Sequence, residues 1–234
     1  MATHPIIARA VQQQRTLLTE TESKHVLHDL GIATTQSQLA PSASAAARIA
    51  AAIGFPVVLK ISSPDITHKS DVGGVRLNVH NAAEVRRAYQ EIVRNATAKA
   101  PEAHIEGVTV QPMAKPGVEV IIGMSKDPTF GPVLMFGLGG VLVEVLKDVA
   151  FRIVPLSQRD ADDMMRDIQG FPLLQGHRGA PAVDRNALQR ILLILSDFVA
   201  NTPVVQEIDL NPVYAYHDGA LVVDARLILE SASA

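Results

Sequence analysis

The sequence predicts an α/β (α+β) protein built from two lobes. Segments with helical periodicity alternate with segments rich in β-branched residues along the 234-residue chain. The stretch AKPG at residues 114–117 divides this alternation into two parts, and its proline and glycine predict a hinge. We therefore expect an N-terminal segment over residues 1–18, a first lobe over residues 19–115 and a second lobe over residues 116–234.

The composition is that of a globular chain with a hydrophobic core. Hydrophobic residues make up 47% of the chain and charged residues 19%, and no apolar run reaches the roughly twenty residues of a membrane span. The net charge of -3 comes from scattered acidic and basic residues, so we expect neither a nucleic-acid nor a membrane partner. The absence of cysteine excludes disulfides, thiolate metal sites and cysteine catalysis. The opening MATHPIIARAVQQQ lacks a secretory-signal pattern, so the expected compartment is the cytoplasm.

Two helices are predicted near the start of the chain. The segment from Thr19 to Gly31 opens on hydroxyl and acidic residues, continues with periodic apolar positions and stops at glycine, as a capped helix does. A short extended piece is expected at residues 33–36. A second helix of high propensity is predicted to open at Ser42 and end at Gly54.

The rest of the first lobe alternates strands with a loop and a helix. FPVVLKIS, beginning at Phe55, predicts a mostly buried strand in a βαβ-like arrangement with the preceding elements. Residues 64–74 contain turn formers and no apolar period, so they predict a loop before a strand at 75–79. A helix over 82–98 and a strand over 107–113 complete this lobe.

The second lobe is predicted to be rich in strands. The expected elements are the strand pair VEVIIGM and GPVLMFG, a glycine-rich turn at 137–140, an apolar β-like stretch through Val154, helices near 160–168 and 184–201, and closing strands at 204–208 and 220–224.

Lys60 is the first candidate for a functional role because it is a lone cation inside the strand VVLKIS. A buried ammonium needs an anionic partner, since burial penalises an uncompensated charge. A lysine on an exposed strand face would instead keep its charge in solvent. The segment alone leaves both interpretations open.

The loop after this strand carries three further candidates. Gly73 and Gly74 allow the backbone to turn and to direct N–H groups at a phosphate, although a simple hairpin bend explains the two glycines equally well. The pattern is not a Walker A sequence. His68 in the same loop is a candidate nucleophile that would accept a phosphoryl group, whereas most loop histidines are only solvated.

Oxygen donors suited to Mg²⁺ lie near the C-terminus. QEIDLNPV and ALVVDARL place Asn211 and Asp224 on consecutive predicted strands, where both side chains would face one pocket. Glu207 and Asp209 lie two residues apart on one strand and are alternative ligands or surface charges. Pro212 restricts the backbone of Asn211.

Taken together and in this order, the segments resemble the ATP-grasp beta subunit of ADP-forming acyl-CoA synthetases of the acetyl-CoA type, which are relatives of succinyl-CoA synthetase. The resemblance spans nearly the whole chain. Its landmarks are LLTETESKHVLHDLGI, FPVVLKISSPDITHKSDVGGVRL, the passage from VQPM to GVEVIIG, FGLGGVLVEVLKDVAFRIVPL, LLQGHRGAP, and EIDLNPV with VVDARL.

The resemblance implies an ATP-grasp fold that holds ATP or ADP between two lobes, with Mg²⁺ as the metal. The implied contacts are Lys60 with the phosphates, the Gly73–Gly74 loop beside them, Gln111 and the backbone near Met113 at the adenine edge, Glu119 beside the nucleotide, and Asn211 with Asp224 at Mg²⁺.

The resemblance also implies a relay. His68 matches the second phosphohistidine of the family, which carries a phosphoryl group between ADP and a phosphohistidine on a partner alpha subunit. The implied reaction converts an acid, CoA and ATP reversibly into acyl-CoA, ADP and phosphate. Arg152 and Arg178 match family landmarks without a role that the sequence can supply.

A separate CoA-binding alpha subunit is implied because this chain carries no CoA-binding domain of its own. The family precedent is an α2β2 assembly, which requires a hydrophobic contact surface on this chain. The sequence does not identify the acid, the physiological direction or the choice between ATP and GTP.

Two other functions fit the same fold. A stand-alone ATP-grasp ligase would activate a carboxylate as an acyl phosphate and would not need His68. A non-catalytic nucleotide-sensing module would be expected to lose Lys60, His68, Asn211 or Asp224, and all four are present.

Overall fold

The computed structural model describes residues 3–66, 68–140, 147–177 and 179–231. None of the helices in these ranges is long and apolar enough to cross a membrane. In chain order the elements are α1 (Pro5–Gln12), α2 (Glu20–Asp29), β1 (Gln38–Ala40), α3 (Ala43–Ile53), β2 (Val57–Ser62), β3 (Val75–Val79), α4 (Ala82–Lys99), β4 (Gly107–Pro112), β5 (Val118–Asp127), β6 (Gly131–Leu138), β7 (Val149–Ile153), α5 (Gln158–Asp167), α6 (Phe171–Leu174), α7 (Arg185–Asn201), β8 (Val205–Tyr216), β9 (Gly219–Val222) and β10 (Ala225–Leu229).

The chain forms two compact units. The smaller unit is continuous and covers Thr35–Lys115, whereas the larger unit combines Met1–Thr34 with Pro116–Ala234. The second junction falls inside the AKPG stretch. Residues 19–34, which the sequence analysis grouped with the first lobe, lie in the larger unit instead.

Long-range strand pairing explains why the N-terminal residues join the larger unit. Leu17 forms an antiparallel bridge with Ile228, and the N–H of Leu18 donates to the carbonyl of Leu227 at 3.1 Å. These contacts extend the large sheet by one short segment beside β10. The next element, α2, then packs against β10 and buries Val26 and Leu27 in the core. Sequence periodicity carries no information about such a pairing across two hundred residues.

The smaller unit is a sheet of order β1-β4-β2-β3 with α3 and α4 packed on one face. Both β1 and β2 pair with β4 in antiparallel fashion, so β4 separates the two strands of the predicted βαβ-like start. Apolar residues at alternate positions of β2 and β4 face the helices, as the period of two in a strand requires. Those residues are Val57, Leu59, Ile61, Val108 and Val110.

The larger unit is an antiparallel sheet of order β10-β8-β5-β6-β7, with β9 paired to β8. Its helices cover one face and form a core with alternate residues of the strands. The opposite face carries the polar residues of β8 and β5 that matter for the site. The closing hairpin is longer than predicted, because β8 runs from Val205 to Tyr216, and the Asn211–Pro212 peptide bond is cis.

Capping residues in the sequence correctly predicted where α2 and α3 begin. Thr19 and Glu22 form a reciprocal capping box at the start of α2, and Ser42 caps α3, which ends at Gly54. Four features were not predicted: α1 within the N-terminal segment, the short helix α6, β1, which lies at Gln38–Ala40 rather than at residues 33–36, and β10 at Ala225–Leu229. All four are short elements, which tertiary contacts stabilise more than local propensity does.

A buried ion pair lies within α2. Lys24 Nζ donates to Glu20 Oε1 at 2.7 Å, and each side chain is only 3% exposed. The two residues are one helical turn apart, so their side chains lie on the same face of the helix. An exposed pair with the same spacing, Arg166 and Asp162 of α5, gives a natural comparison.

We expect Lys24→Met to lower the free energy of unfolding by about 3–5 kcal/mol, because it leaves the Glu20 carboxylate buried without its cation. Arg166→Met, which breaks the exposed pair, should cost at most about 1 kcal/mol. Denaturant unfolding of both variants measures the difference. Equal losses in the two variants would contradict the assignment of Glu20 and Lys24 to the interior.

Candidate functional site

Lys60 lies at the middle of β2, where all six residues are buried. It is 5% exposed and pairs in register with Val75 of β3 and Thr109 of β4. Its neighbours Leu59 and Ile61 point into the helical core, so Lys60 points to the opposite face of the sheet. The structure excludes the interpretation of Lys60 as a lysine on an exposed strand face.

Two other polar side chains share this face with Lys60. Thr109 is 4% exposed, and its hydroxyl donates to the backbone carbonyl of Lys60 at 3.3 Å. Gln111 is 1% exposed and pairs with Val58, two residues before Lys60. A cation, a hydroxyl and an amide are thus held on one sheet face by the backbone register. This combination suits an anionic, hydrogen-bonding ligand.

Met113 lies just beyond β4, where its N–H donates to the carbonyl of Pro56 at 3.0 Å. That hydrogen bond continues the pairing of β4 with β2. A contact between Met113 and an adenine ring would therefore use the carbonyl or the side chain of Met113 rather than its N–H.

The two glycines of the loop have a role that differs from the predicted one. The N–H of Gly73 donates to Ser70 at 2.9 Å, and the N–H of Gly74 donates to Lys69 at 2.7 Å, so both groups are used inside the loop. A Cβ on Gly74 would lie 2.5 Å from Cγ2 of Ile61, and Gly73 has φ +65°. The structure thus corrects the expectation that these N–H groups face a phosphate; the glycines allow a tight turn and close packing.

His68 is exposed at the tip of this loop. The loop is attached at both ends, because Ile66 is buried in the core and the carbonyl of Gly74 accepts the N–H of Ile61 at 2.7 Å. The N–H of Asp71 donates to the carbonyl of His68 at 3.2 Å. An exposed imidazole on a short loop with fixed ends is suited to reaching a partner group from a defined position.

Asn211 and Asp224 lie opposite one another across the closing strands of the larger unit. The N–H of Asn211 donates to the carbonyl of Asp224 at 3.3 Å, and the adjacent residues Leu210 and Ala225 are register partners. Oδ1 of Asp224 accepts the N–H of its own neighbour Ala225 at 2.9 Å. The backbones of Asn211 and Asp224 are therefore adjacent, although Asp224 lies between β9 and β10 rather than on a strand as predicted. That both side chains face one pocket stays a prediction.

The alternative metal ligands Glu207 and Asp209 lie on the same face of β8 as Asn211. Arg226 donates to Glu207 at 2.6 Å and lies 3.8 Å from Asp209. The guanidinium offsets the charge of both carboxylates.

Glu119 of β5 has a close set of neighbours. It pairs in register with Tyr214 of β8, so the Tyr214 phenol lies near the negative charge of its carboxylate. The carbonyl of Glu119 accepts the N–H of Gly139 at 2.7 Å, and a Cβ on Gly140 would lie 2.8 Å from Oε2. Glycine is required in this turn in part because the Glu119 side chain occupies the space that a larger side chain would need.

Burial raises the pKa of the Tyr214 phenol above its usual value, and the negative charge of Glu119 raises it further. The neighbouring Tyr216 ring lies 6.4 Å away between centroids. Tyr214 was not among the predicted site residues. The sequence alone does not point to Tyr214, because its partner Glu119 is almost a hundred positions away. Only the pairing of β5 with β8 brings the two residues together.

Glu119 and the Asn211–Asp224 pair lie along one sheet. Tyr214, the partner of Glu119, is three residues from Asn211 on β8, which corresponds to about 10 Å of strand. The sheet thus carries the Glu119 carboxylate and the Asn211–Asp224 oxygen donors at separate positions.

The remaining predicted residues have simpler positions. Arg152 of β7 donates to Asp167 at 2.5 Å and to the carbonyl of Phe151, so it links β7 to the end of α5. Arg178 lies outside the described residues. Within those residues no group of three or more His, Asp or Glu side chains is arranged to hold a metal.

The structure assigns the candidate residues to the two units as follows. Lys60, His68, Gly73, Gly74, Gln111 and Met113 belong to the smaller unit, and Glu119, Asn211 and Asp224 belong to the larger unit.

Comparison with known proteins gives matches over nearly the whole chain. A family model described as an ATP-grasp domain matches residues 9–229. The beta subunit of ADP-forming acetate–CoA ligase I from Pyrococcus furiosus is 44% identical over 224 residues, which cover 96% of each chain. The ADP-forming acetate–CoA ligase I of Archaeoglobus fulgidus is 47% identical over 208 residues, which are 89% of this chain but 30% of that longer protein.

A solved structure with the same fold is acetyl-coenzyme A synthetase 1 of Ca. Korarchaeum cryptofilum, in complex with coenzyme A, Ca-AMPCP and HgCl+. Its TM-score is 0.94 at 46% identity, and the match covers 98% of this chain and 100% of that one. Other structures of that synthetase describe a phosphohistidine segment, either phosphorylated in a site I orientation or pointing towards the nucleotide binding site with Mg-AMPPCP present. The predicted fold and the predicted resemblance are both confirmed by these matches.

We expect Glu119→Gln to lower the pKa of Tyr214, because the variant removes the nearby negative charge, while burial keeps the pKa above its ordinary value. The chain has three tyrosines and no tryptophan, so Tyr89→Phe and Tyr216→Phe leave a single phenol for ultraviolet titration. Asp218→Asn, which changes a charge near Tyr216 only, is the matched control. An unchanged pKa in Glu119→Gln would mean that the phenol and the carboxylate do not meet.

Proposed function

This chain belongs to the ATP-grasp family as a beta subunit of an ADP-forming acyl-CoA ligase, and we propose that its residues carry out the nucleotide half of the reaction. The enzyme converts an acid, coenzyme A and ATP into acyl-CoA, ADP and phosphate, and the reaction is reversible. The observation that carries this conclusion is the 44% identity that extends over 96% of both chains.

The nucleotide is recognised by polar side chains. In the smaller unit, Lys60 supplies the positive charge for the phosphates, and its burial strengthens that interaction because little water screens it. Gln111 on the same face is available to the adenine edge, and Met113 to the same edge through its carbonyl or side chain. In the larger unit, Glu119 accepts hydrogen bonds from ribose hydroxyls, and Tyr214 is its neighbour across the β5–β8 pairing.

Asn211 and Asp224 fit Mg²⁺. The pair provides one amide oxygen and one carboxylate, and Mg²⁺ typically takes one or two protein carboxylates together with phosphate oxygens and water. Mg²⁺ held there neutralises negative charge on the nucleotide phosphates. Glu207 and Asp209 are tied to Arg226, so they serve as the electrostatic surroundings of this pair.

His68 accepts the phosphoryl group. An unprotonated ring nitrogen attacks the γ-phosphorus of ATP and forms a P–N bond as the bond to the β,γ-bridging oxygen breaks. ADP leaves with that electron pair, and the other ring nitrogen keeps its proton. The reverse steps return the phosphoryl group to ADP.

A CoA-binding alpha subunit completes the enzyme. The Archaeoglobus relative contains this domain as about a third of one longer chain, whereas the Pyrococcus relative is a separate beta subunit. This comparison supports a partner that supplies the remaining part of the fused protein, including the sites for CoA and the acid. An α2β2 assembly is the stoichiometry we propose.

We expect His68→Ala to abolish acid-labile, base-stable labelling of this chain by γ-labelled ATP and Mg²⁺. Turnover with the alpha subunit should fall on the order of a thousandfold or more, since the covalent acceptor is removed. His80→Ala, which alters another exposed histidine of the smaller unit, should retain both label and turnover. Unchanged turnover in His68→Ala would instead favour a plain ATP-grasp carboxylate ligase.

We expect Asp224→Asn to weaken Mg²⁺-dependent nucleotide binding by about 10-fold to 100-fold, because a charged ligand becomes neutral. Calorimetric titration of nucleotide at several Mg²⁺ concentrations measures this change, and excess Mg²⁺ should partly restore affinity. Asp218→Asn in the exposed turn between β8 and β9 removes the same charge away from the pair and should leave binding unchanged. Equal Mg²⁺ dependence in the two variants would remove Asp224 from the metal site.

A further inference from the structure

The C-terminal part of α4 contacts the loop that carries His68. Lys99, the last residue of α4, donates from its Nζ to the backbone carbonyl of Asp71 at 2.7 Å, across 28 residues of sequence. Asn95 lies one helical turn earlier on the same face, and its Nδ2 would be 3.1 Å from a Cβ on Gly73. The helix therefore meets the loop at two points on the C-terminal side of His68.

The loop is also fixed before His68. Oδ2 of Asp65 accepts the backbone N–H of His104 at 2.7 Å, and Ile66 is buried in the core of the smaller unit. These attachments differ in strength. Moving Ile66 would expose a buried apolar side chain, whereas the Lys99 contact is an exposed hydrogen bond from a flexible side chain to one carbonyl. The Lys99 contact can therefore break and re-form without exposing any part of the core.

We propose that Lys99 is a positioning residue that latches the His68 loop onto α4 in one of two orientations, and that release of this latch lets the loop reach the other. The inference rests on the proposed phosphoryl relay. In the Korarchaeum synthetase the phosphohistidine segment is found in a site I orientation and pointing towards the nucleotide binding site. The exposed Lys99 hydrogen bond fits such a loop, because it is strong enough to favour one orientation and weak enough to break when the loop moves to the other.

Spin labelling measures the latch directly. The 234-residue chain has no cysteine, so Ser70→Cys introduces a unique label site in the loop, and a nitroxide there reports loop mobility. We expect Lys99→Met to raise the ratio of mobile to immobile label by about threefold to tenfold, which is the effect of one lost hydrogen bond. Lys99→Arg should restore the wild-type ratio. Arg94→Met, an exposed cation on the preceding turn of α4, is the control and should change nothing.

A kinetic test separates positioning from general structural support. With the alpha subunit present, Lys99→Met should change the ratio of the rate of His68 phosphorylation by ATP to the rate of onward transfer by about threefold or more. A purely structural defect would lower both rates together. An unchanged spectrum in Lys99→Met, or an unchanged ratio of the two rates, would overturn the proposal. The label does not depend on phosphorylation, so failure of the latch and failure of the relay are distinguishable.

Discussion

Alternation of side chains along paired strands is the constraint on which the candidate site depends. Each sheet uses one face to build a helix-covered core and leaves the other face for polar groups. On β2 this alternation buries Leu59 and Ile61 on one side and sets Lys60 on the other. A shift of one residue in the register would exchange the two faces, turning Lys60 into the core and Leu59 out of it. Packing of the core therefore also fixes the position of the charge.

The sequence predicted the parts of the fold that local interactions determine. Capping residues located the starts of α2 and α3, and β-branched runs located β2 and β5. The neighbouring positions of Asn211 and Asp224 were also predictable, because a hairpin keeps its two strands adjacent. What local signals could not supply was pairing between distant segments. The bridge of Leu17 with Ile228 and the register of Glu119 with Tyr214 arise from contacts that only the folded chain creates.

The glycines of the His68 loop show how a correct pattern can have another physical cause. Gly73 and Gly74 were expected to direct N–H groups at a phosphate, yet both groups bond within the loop. Sequence alone cannot distinguish a glycine required for ligand access from one required for close packing, since both requirements select the same residue. The distances to Ile61 and Asn95 decide the matter here in favour of packing. The phosphate contact that we propose for the smaller unit therefore rests on side chains, above all that of Lys60.

The larger unit is assembled from both ends of the chain, and this has a consequence for synthesis on the ribosome. Residues 35–115 form a continuous unit whose strands are all available once β4 has been translated. The first 34 residues, in contrast, must wait for β10, because Leu17 and Leu18 pair with residues near the C-terminus. During that interval the apolar faces of α1 and α2 have no sheet to cover. The nascent chain therefore exposes its N-terminal helices longest, which makes them the segment most in need of chaperone protection.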